Sequence, residues 1–175
     1  PFALTDDQRE VVDEIAADLA LDTPMNRLLQ GDVGAGKTVV ALYAMLLAVT
    51  SRKQAALMAP TELLAEQHHA SITRMLAGAD VSIVLLTGSL PAPIRRERLQ
   101  RLVDGEVDLV IGTHALLTES VEFNDLALVI VDEQHRFGVH QRATLRNKTG
   151  EEEAAPHTLV TVSYTHLTLP TKLAV

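Results

Sequence analysis

The run Gly31-Asp32-Val33-Gly34-Ala35-Gly36-Lys37-Thr38 fits the spacing G-x-x-x-x-G-K-[ST] in full. Residues this small let consecutive backbone N–H groups converge on phosphate oxygens, and a following helix aims its positive end at them. Lys37 then brings an ammonium to the β- and γ-phosphates, while the Thr38 hydroxyl is a ligand for Mg²⁺. Such a cradle needs a second part, an acidic residue at the end of another buried strand. Asp132 and Glu133 directly follow the apolar run Leu128-Val129-Ile130-Val131. Asp132 is placed to reach the magnesium through water, and Glu133 to orient and deprotonate the attacking water. The chemistry these residues spell is hydrolysis of a nucleoside triphosphate, with ATP and Mg²⁺ as the expected cofactors.

These groups meet only if strands and helices deliver them to one sheet edge. Short aliphatic runs alternate with helical patterns along the chain, which is the signature of a parallel sheet covered by helices. Strands are expected at Arg27–Gln30, Ala55–Ala59, Val81–Leu86, Asp108–Gly112, Ala127–Val131 and Thr158–Thr161. Their apolar residues do not alternate with polar ones, as befits strands buried on both faces. Helices are expected at Asp6–Ala20, Lys37–Val49, Glu62–Leu76 and Ile94–Val103, with a short one near Ala115–Leu117. Thr5-Asp6-Asp7-Gln8 reads as a capping box opening the first helix. Val11, Val12, Ile15 and Leu19 follow as its apolar stripe.

Composition narrows the field further. The 175 residues suffice for one domain, and 47% hydrophobic content excludes a disordered tail. With 15 Lys+Arg against 23 Asp+Glu the net charge is −8, which argues against a simple basic nucleic-acid module. DNA held by backbone amides and a few side chains stays open. The absence of cysteine removes disulfides, thiolate zinc sites and Cys nucleophiles. The histidines, including the His68-His69 pair, His135 and His140, lack carboxylates at metal-binding spacing. The longest apolar run, Val39 to Val49, is too short for a membrane span, and no signal peptide is visible. The chain starts Pro1-Phe2 and reads as a piece of a longer soluble, intracellular protein.

Asp132-Glu133-Gln134-His135 looks like the DExH box of superfamily 2 helicases. The longer string Val131 to Arg142, together with Met25 to Val33, Met58 to His68 and Ile111 to Leu116, closely resembles the RecG branched-DNA helicases. The resemblance runs from Phe2 to about Val160. It implies that Gln8, with Phe2 and Leu4 upstream, belongs to an adenine-recognition element; the capping box accounts for Gln8 equally well. It implies that Gln134 and His135 link the nucleotide to DNA and to a partner domain. It also implies that Thr61, Thr87, Gly88, Thr113 and His114 track a DNA strand. Glu62 and Ser89 belong to the same segments with a weaker claim. Hydroxyls and exposed amides bind phosphate without net positive charge, which reconciles this reading with −8. Arg95, Arg96, Arg98 and Arg101 form a basic helix face that reads more readily as solvated surface than as a DNA site. With 3% aromatic residues, a base-stacking platform is not expected.

The resemblance breaks after Val160. Relatives of this kind continue into a Thr-Ala-Thr-Pro-like coupling segment, whereas this chain reads Val162-Ser163-Tyr164-Thr165-His166-Leu167-Thr168-Leu169-Pro170-Thr171. That run matches the translation of a transposon-derived sequencing adapter. The expected division is therefore a helicase ATP-binding domain over 1–161 and a non-native tail over 162–175, whose residues should pack poorly from Val162 onward.

The expected fold is a RecA-like α/β P-loop NTPase domain, a mainly parallel sheet with helices on both faces. The expected activity is that of a DNA-dependent ATPase and helicase acting on forks and Holliday junctions, cytoplasmic and monomeric. Its expected partners are branched DNA and the wedge and second RecA-like domains of the same protein. Without the arginine finger of that second domain, the stretch alone should hydrolyse ATP negligibly. Three other readings stay open: a transcription-repair coupling factor translocase, a P-loop ATPase that does not act on DNA, and a nucleotide-binding module without catalysis.

Overall fold

A computed structural model describes residues 4–21, 23–32, 34–118, 120–132 and 156–164. The described elements follow in the order α1 (Asp6–Leu19), β1 (Asn26–Asp32), α2 (Lys37–Thr50), β2 (Gln54–Met58), α3 (Glu62–Met75), β3 (Ile83–Leu86), α4 (Ala92–Val103), β4 (Leu109–Gly112), a 3₁₀ turn (His114–Leu117), β5 (Leu126–Asp132) and β6 (His157–Tyr164). Each expected element is present, with ends displaced by no more than a few residues.

The six strands form one sheet in the order β1-β6-β5-β2-β4-β3, and every pair is parallel. Side chains alternate across this sheet into two separate cores. Ala55, Leu57, Leu109, Ile111, Leu128, Ile130 and Leu159 pack with Ile15, Met45, Ala65 and Ile72 from α1, α2 and α3. Ala56, Met58, Val110, Val129, Val131 and Val160 pack with Leu102 of α4 and Leu116 of the 3₁₀ turn. Helices thus cover both faces, as the unbroken apolar runs require, and the sheet is wholly rather than mainly parallel.

Two polar ties fix the layers. Gln54, 4% exposed, donates to the carbonyls of Leu102 and Val107 and accepts from the amides of Asn124 and Asp125. One buried side chain thereby satisfies four backbone groups where chain segments converge around the start of β2. Arg27 on β1 pairs with Asp18 and Glu14 on α1, clamping the first helix to the edge strand.

One expectation fails at the C-terminal strand. Val162 does not pack poorly: it is 5% exposed in the same core as Val160, and β6 stays in register with β1 as far as Asp32↔Tyr164. Parallel pairing runs through backbone amides and carbonyls and asks little of side-chain identity. A valine two residues beyond Val160 also falls on the buried face automatically.

Candidate active site

The cradle is built at the carboxyl end of β1. Gly34 and Gly36 have φ of +86° and +80°, left-handed conformations that turn the chain from strand into helix. Gly36 is the N-cap of α2; its positive φ favours glycine, and a Cβ there would lie 2.2 Å from Gln8 Nε2 and displace that amide. Lys37 opens α2, and its ammonium donates to the carbonyl oxygens of Gly31 (2.8 Å) and Asp32 (2.6 Å). The cation therefore lies across the loop that begins with Gly31.

Gln8 holds the loop from the other side. The capping box forms in full: Gln8 N donates to Thr5 Oγ1, and Thr5 N donates to Gln8 Oε1. The same side chain uses Nε2 to donate to Ala35 O at 3.0 Å. The cap and the contact with the cradle are therefore one arrangement, α1 being anchored by the residue that reaches the loop.

Asp132 ends β5. Its Oδ2 lies 2.7 Å from His68 Nε2 on α3, and its Oδ1 accepts the Thr161 hydroxyl at 2.5 Å from β6. Burial pushes this carboxyl up, but the hydrogen bonds from His68 and Thr161, with the charges of His68 and Lys37, hold it below its ordinary value. The group is thus an anion at neutral pH. Gly34, Gly36, Lys37, Thr38, His68, Asp132 and Thr161 line one pocket of about 250 Å³, floored by Met45, Leu57, Ile72 and Ile130. A hydroxyl, an ionised carboxylate and an ammonium around one cavity suit a magnesium–triphosphate, since Mg²⁺ takes one or two protein oxygens and fills the rest with phosphate and water. Among the described residues no group of three or more His, Asp or Glu could hold a metal by itself.

Of the residues expected at this site, the structure brings together Gln8, Gly31, Asp32, Gly34, Ala35, Gly36, Lys37, Thr38 and Asp132. Val33, Glu133, Gln134 and His135 lie outside the described residues. Sequence reasoning missed His68 and Thr161 as neighbours of Asp132. His68 carried a signal as one of a histidine pair and as the end of the Met58 to His68 string, but neither points to Asp132, 64 residues away.

The three threonine-bearing segments follow β2, β3 and β4, at the same edge of the sheet. Their hydroxyls have local duties. Thr61 is exposed and caps α3 by accepting from Leu64 N. Thr113 is 3% exposed and caps the 3₁₀ turn. Thr87 is 2% exposed, its hydroxyl 3.3 Å from that of Ser89. Gly88 and His114 are exposed. Glu62 joins the segments by accepting the backbone N–H of Ser89. The Ser89 hydroxyl, opposed by burial and aided by the Ser89 and Gly88 amides and the charge of His114, holds the Glu62 carboxyl below its ordinary value. Three of the α4 arginines are not merely solvated, while Arg96 is exposed: Arg98 donates to Leu85 O, Arg101 meets Ser82 and Glu106, and Arg95 reaches Thr118.

Comparison with known proteins agrees with this geometry. The DEAD/DEAH box helicase family matches residues 5–166. The chain is 51% identical over 160 residues to the ATP-dependent DNA helicase RecG of Pasteurella multocida and 55% identical over 148 residues to that of Bacillus subtilis. These alignments cover 91% and 85% of the chain but 23% and 22% of the relatives, so the chain spans less than a quarter of their length. The structure of RecG bound to a three-way DNA junction superposes with a TM-score of 0.83 at 40% identity, covering 94% of this chain and 21% of that one. The helicase MrfA shares the fold, with a TM-score of 0.72 at 18% identity over 92% of this chain and 27% of that one. A glycine-rich cradle and an ionised aspartate facing one pocket, on an all-parallel sheet matched over nearly its whole length, place this chain in the DEAD/DEAH box helicase family.

Proposed function

We propose that this chain is the first motor domain of an ATP-dependent helicase that remodels branched DNA. The observation that carries the reading is the 51% identity over 160 residues to a RecG helicase, together with the likeness to RecG bound to a three-way junction. In this reading Lys37 and the amides of the Gly31–Lys37 loop bind the β- and γ-phosphates. Gln8 contacts adenine while bracing the loop. Thr38 and Asp132 hold Mg²⁺, which when bound neutralises charge on the phosphate oxygens. Glu133 takes the proton of the attacking water, and Gln134 and His135 pass the nucleotide state to DNA and the partner domain. Thr61, Gly88 and His114 face one DNA strand at the neighbouring loops. Thr87 and Thr113, whose hydroxyls are committed inward, act there through shape and backbone.

The same proposal covers the rest of the protein: a wedge domain, a second RecA-like domain supplying an arginine finger, monomeric action and a cytoplasmic location. Among the described residues no helix is long and apolar enough to cross a membrane. The division at residue 161 remains part of it, supported by the adapter-like run from Val162. Reading the encoding DNA tests that boundary, since an adapter origin requires a base-for-base match from codon 162.

The functional test is ATPase activity of the full-length protein with linear duplex, three-way and four-way DNA. Stimulation by the junctions well above linear duplex is expected. Equal stimulation by all three would point instead to a translocase on ordinary duplex, such as a coupling factor. No stimulation by any of them would remove DNA from the proposal.

A further inference from the structure

Helix α3 touches both halves of the sheet edge. Its first residue, Glu62, accepts the Ser89 amide at the loop after β3. Six residues later, about 9 Å along the helix axis, His68 Nε2 sits 2.7 Å from Asp132 Oδ2. The two side chains are 17% and 21% exposed, so little water competes for that hydrogen bond. The opposite carboxylate oxygen accepts the Thr161 hydroxyl from β6. His68 is therefore the partner of Asp132 that is carried on a helix, while Thr161 lies on the sheet beside it.

We propose that His68 is a positioning residue for the magnesium site, donating to Asp132 Oδ2 and fixing the carboxylate toward Thr38 and the cradle. The proposal rests on the reading of Asp132 as the carboxylate that holds the magnesium through water. A carboxylate at a strand end turns freely about two side-chain bonds, and a hydrogen bond to one oxygen removes most of that freedom. Groups that orient a metal ligand from behind are commonly worth about 10- to 100-fold in metal affinity. Because His68 is carried on α3, the carboxylate is also referenced to the helix whose first turn meets the loop after β3. A displacement of α3 at that loop is felt at that carboxylate.

The test uses the full-length protein and the variants His68→Ala, His68→Gln and Asp132→Asn. ATPase is titrated with Mg²⁺, and binding of Mn²⁺ with ATP is followed by electron paramagnetic resonance, which needs no turnover. For His68→Ala, the half-saturating Mg²⁺ and the Mn²⁺ dissociation constant should rise about tenfold, while KM for ATP at saturating Mg²⁺ changes less than about twofold. The Gln amide nitrogen reaches the position of Nε2, so His68→Gln should recover to within about threefold of wild type. It also keeps the test decisive should the alanine variant fold poorly. Wild-type metal dependence in His68→Ala, with Asp132→Asn impaired, overturns the role of His68 alone. A glutamine variant folded like wild type but as impaired as alanine also overturns it, because the donor would then not matter. Wild-type metal dependence in Asp132→Asn overturns the reading of Asp132, and the role of His68 with it.

Discussion

The two halves of the sheet's carboxyl edge are built differently. At β1, β5 and β6 the chemistry-bearing groups face a shared cavity: Lys37, Thr38 and Asp132 line one pocket, and backbone geometry at Gly34 and Gly36 keeps it open. At β2, β3 and β4 the hydroxyls expected to meet a strand are turned to capping and packing, and a carboxylate, Glu62, binds the loops to one another. The first half is a concave site that concentrates charge on a small ligand. The second is a convergence of short loops, the part that our proposal assigns to an extended ligand. A net charge of −8 is compatible with both, because neither half depends on a field of surface cations. The arginines nearest the second half are spent tying α4 to β3 and to the segments around β4.

The difference predicts which substitutions separate the halves. Lys37→Ala should have the largest effect, lowering ATPase of the full-length protein about 10³-fold. Far-UV circular dichroism should remain unchanged, since among the described residues the ammonium's hydrogen bonds are to carbonyls of its own loop. ATPase within a few fold of wild type would break the assignment of the first half. Next comes Gln54→Ala, remote from both sites, which removes a side-chain partner from two buried carbonyls and two part-buried amides and should cost about 3 kcal/mol in chemical denaturation. A loss below about 1 kcal/mol would mean that water replaces the side chain and that the sheet is held elsewhere.

Glu62→Ala sharpens the contrast at smaller scale. It releases the loop after β3 without touching the cradle, so DNA-stimulated ATPase should fall roughly threefold more than the unstimulated rate. Equal falls in both would show that α3 transmits the change to Asp132 and that the halves are not separable. The smallest effect concerns pH. His157 Nδ1 accepts the Met25 amide at the start of the β1–β6 pair. Burial pushes the His157 ring below its ordinary value, with Asp18 opposing and Lys53 adding to the shift. The unfolded chain therefore takes up the proton first, at a pH near the usual value of about 6.5. The stability tied to the neutral ring is complete above that pH and is lost as pH falls toward the lower folded value. His157→Asn keeps an acceptor but does not titrate, so the fall in unfolding temperature between pH 7.5 and 5.5 should shrink by roughly 1–2 °C. An unchanged fall would assign the pH dependence to other groups, His69 among them.

Local spacing was enough to read the cradle. The steric needs of a phosphate loop act between neighbours, so the spelling from Gly31 to Thr38 already carries its geometry, and the capping box at Thr5 and Gln8 is local in the same way. The strands were legible for a related reason: a sheet buried on both faces leaves continuous apolar runs that polar punctuation delimits. Strand order and pairing were not, because hydrogen-bonding partners far apart in the chain leave no periodic trace. Nor was the second duty of Gln8 toward Ala35, the inward turn of Thr87 and Thr113, or the burial of Val162. Each depends on which element arrives alongside. The clearest instance is His68: on sequence it is half of an adjacent histidine pair with nothing to ligate. Only the packing of α3 over β3 and β4 brings its ring to within 2.7 Å of Asp132 at the end of β5. Sequence fixes the chemistry a residue carries and the conformation of its neighbours, while tertiary structure decides which distant group it meets, because that choice is made by the shared burial of surfaces contributed by the whole chain.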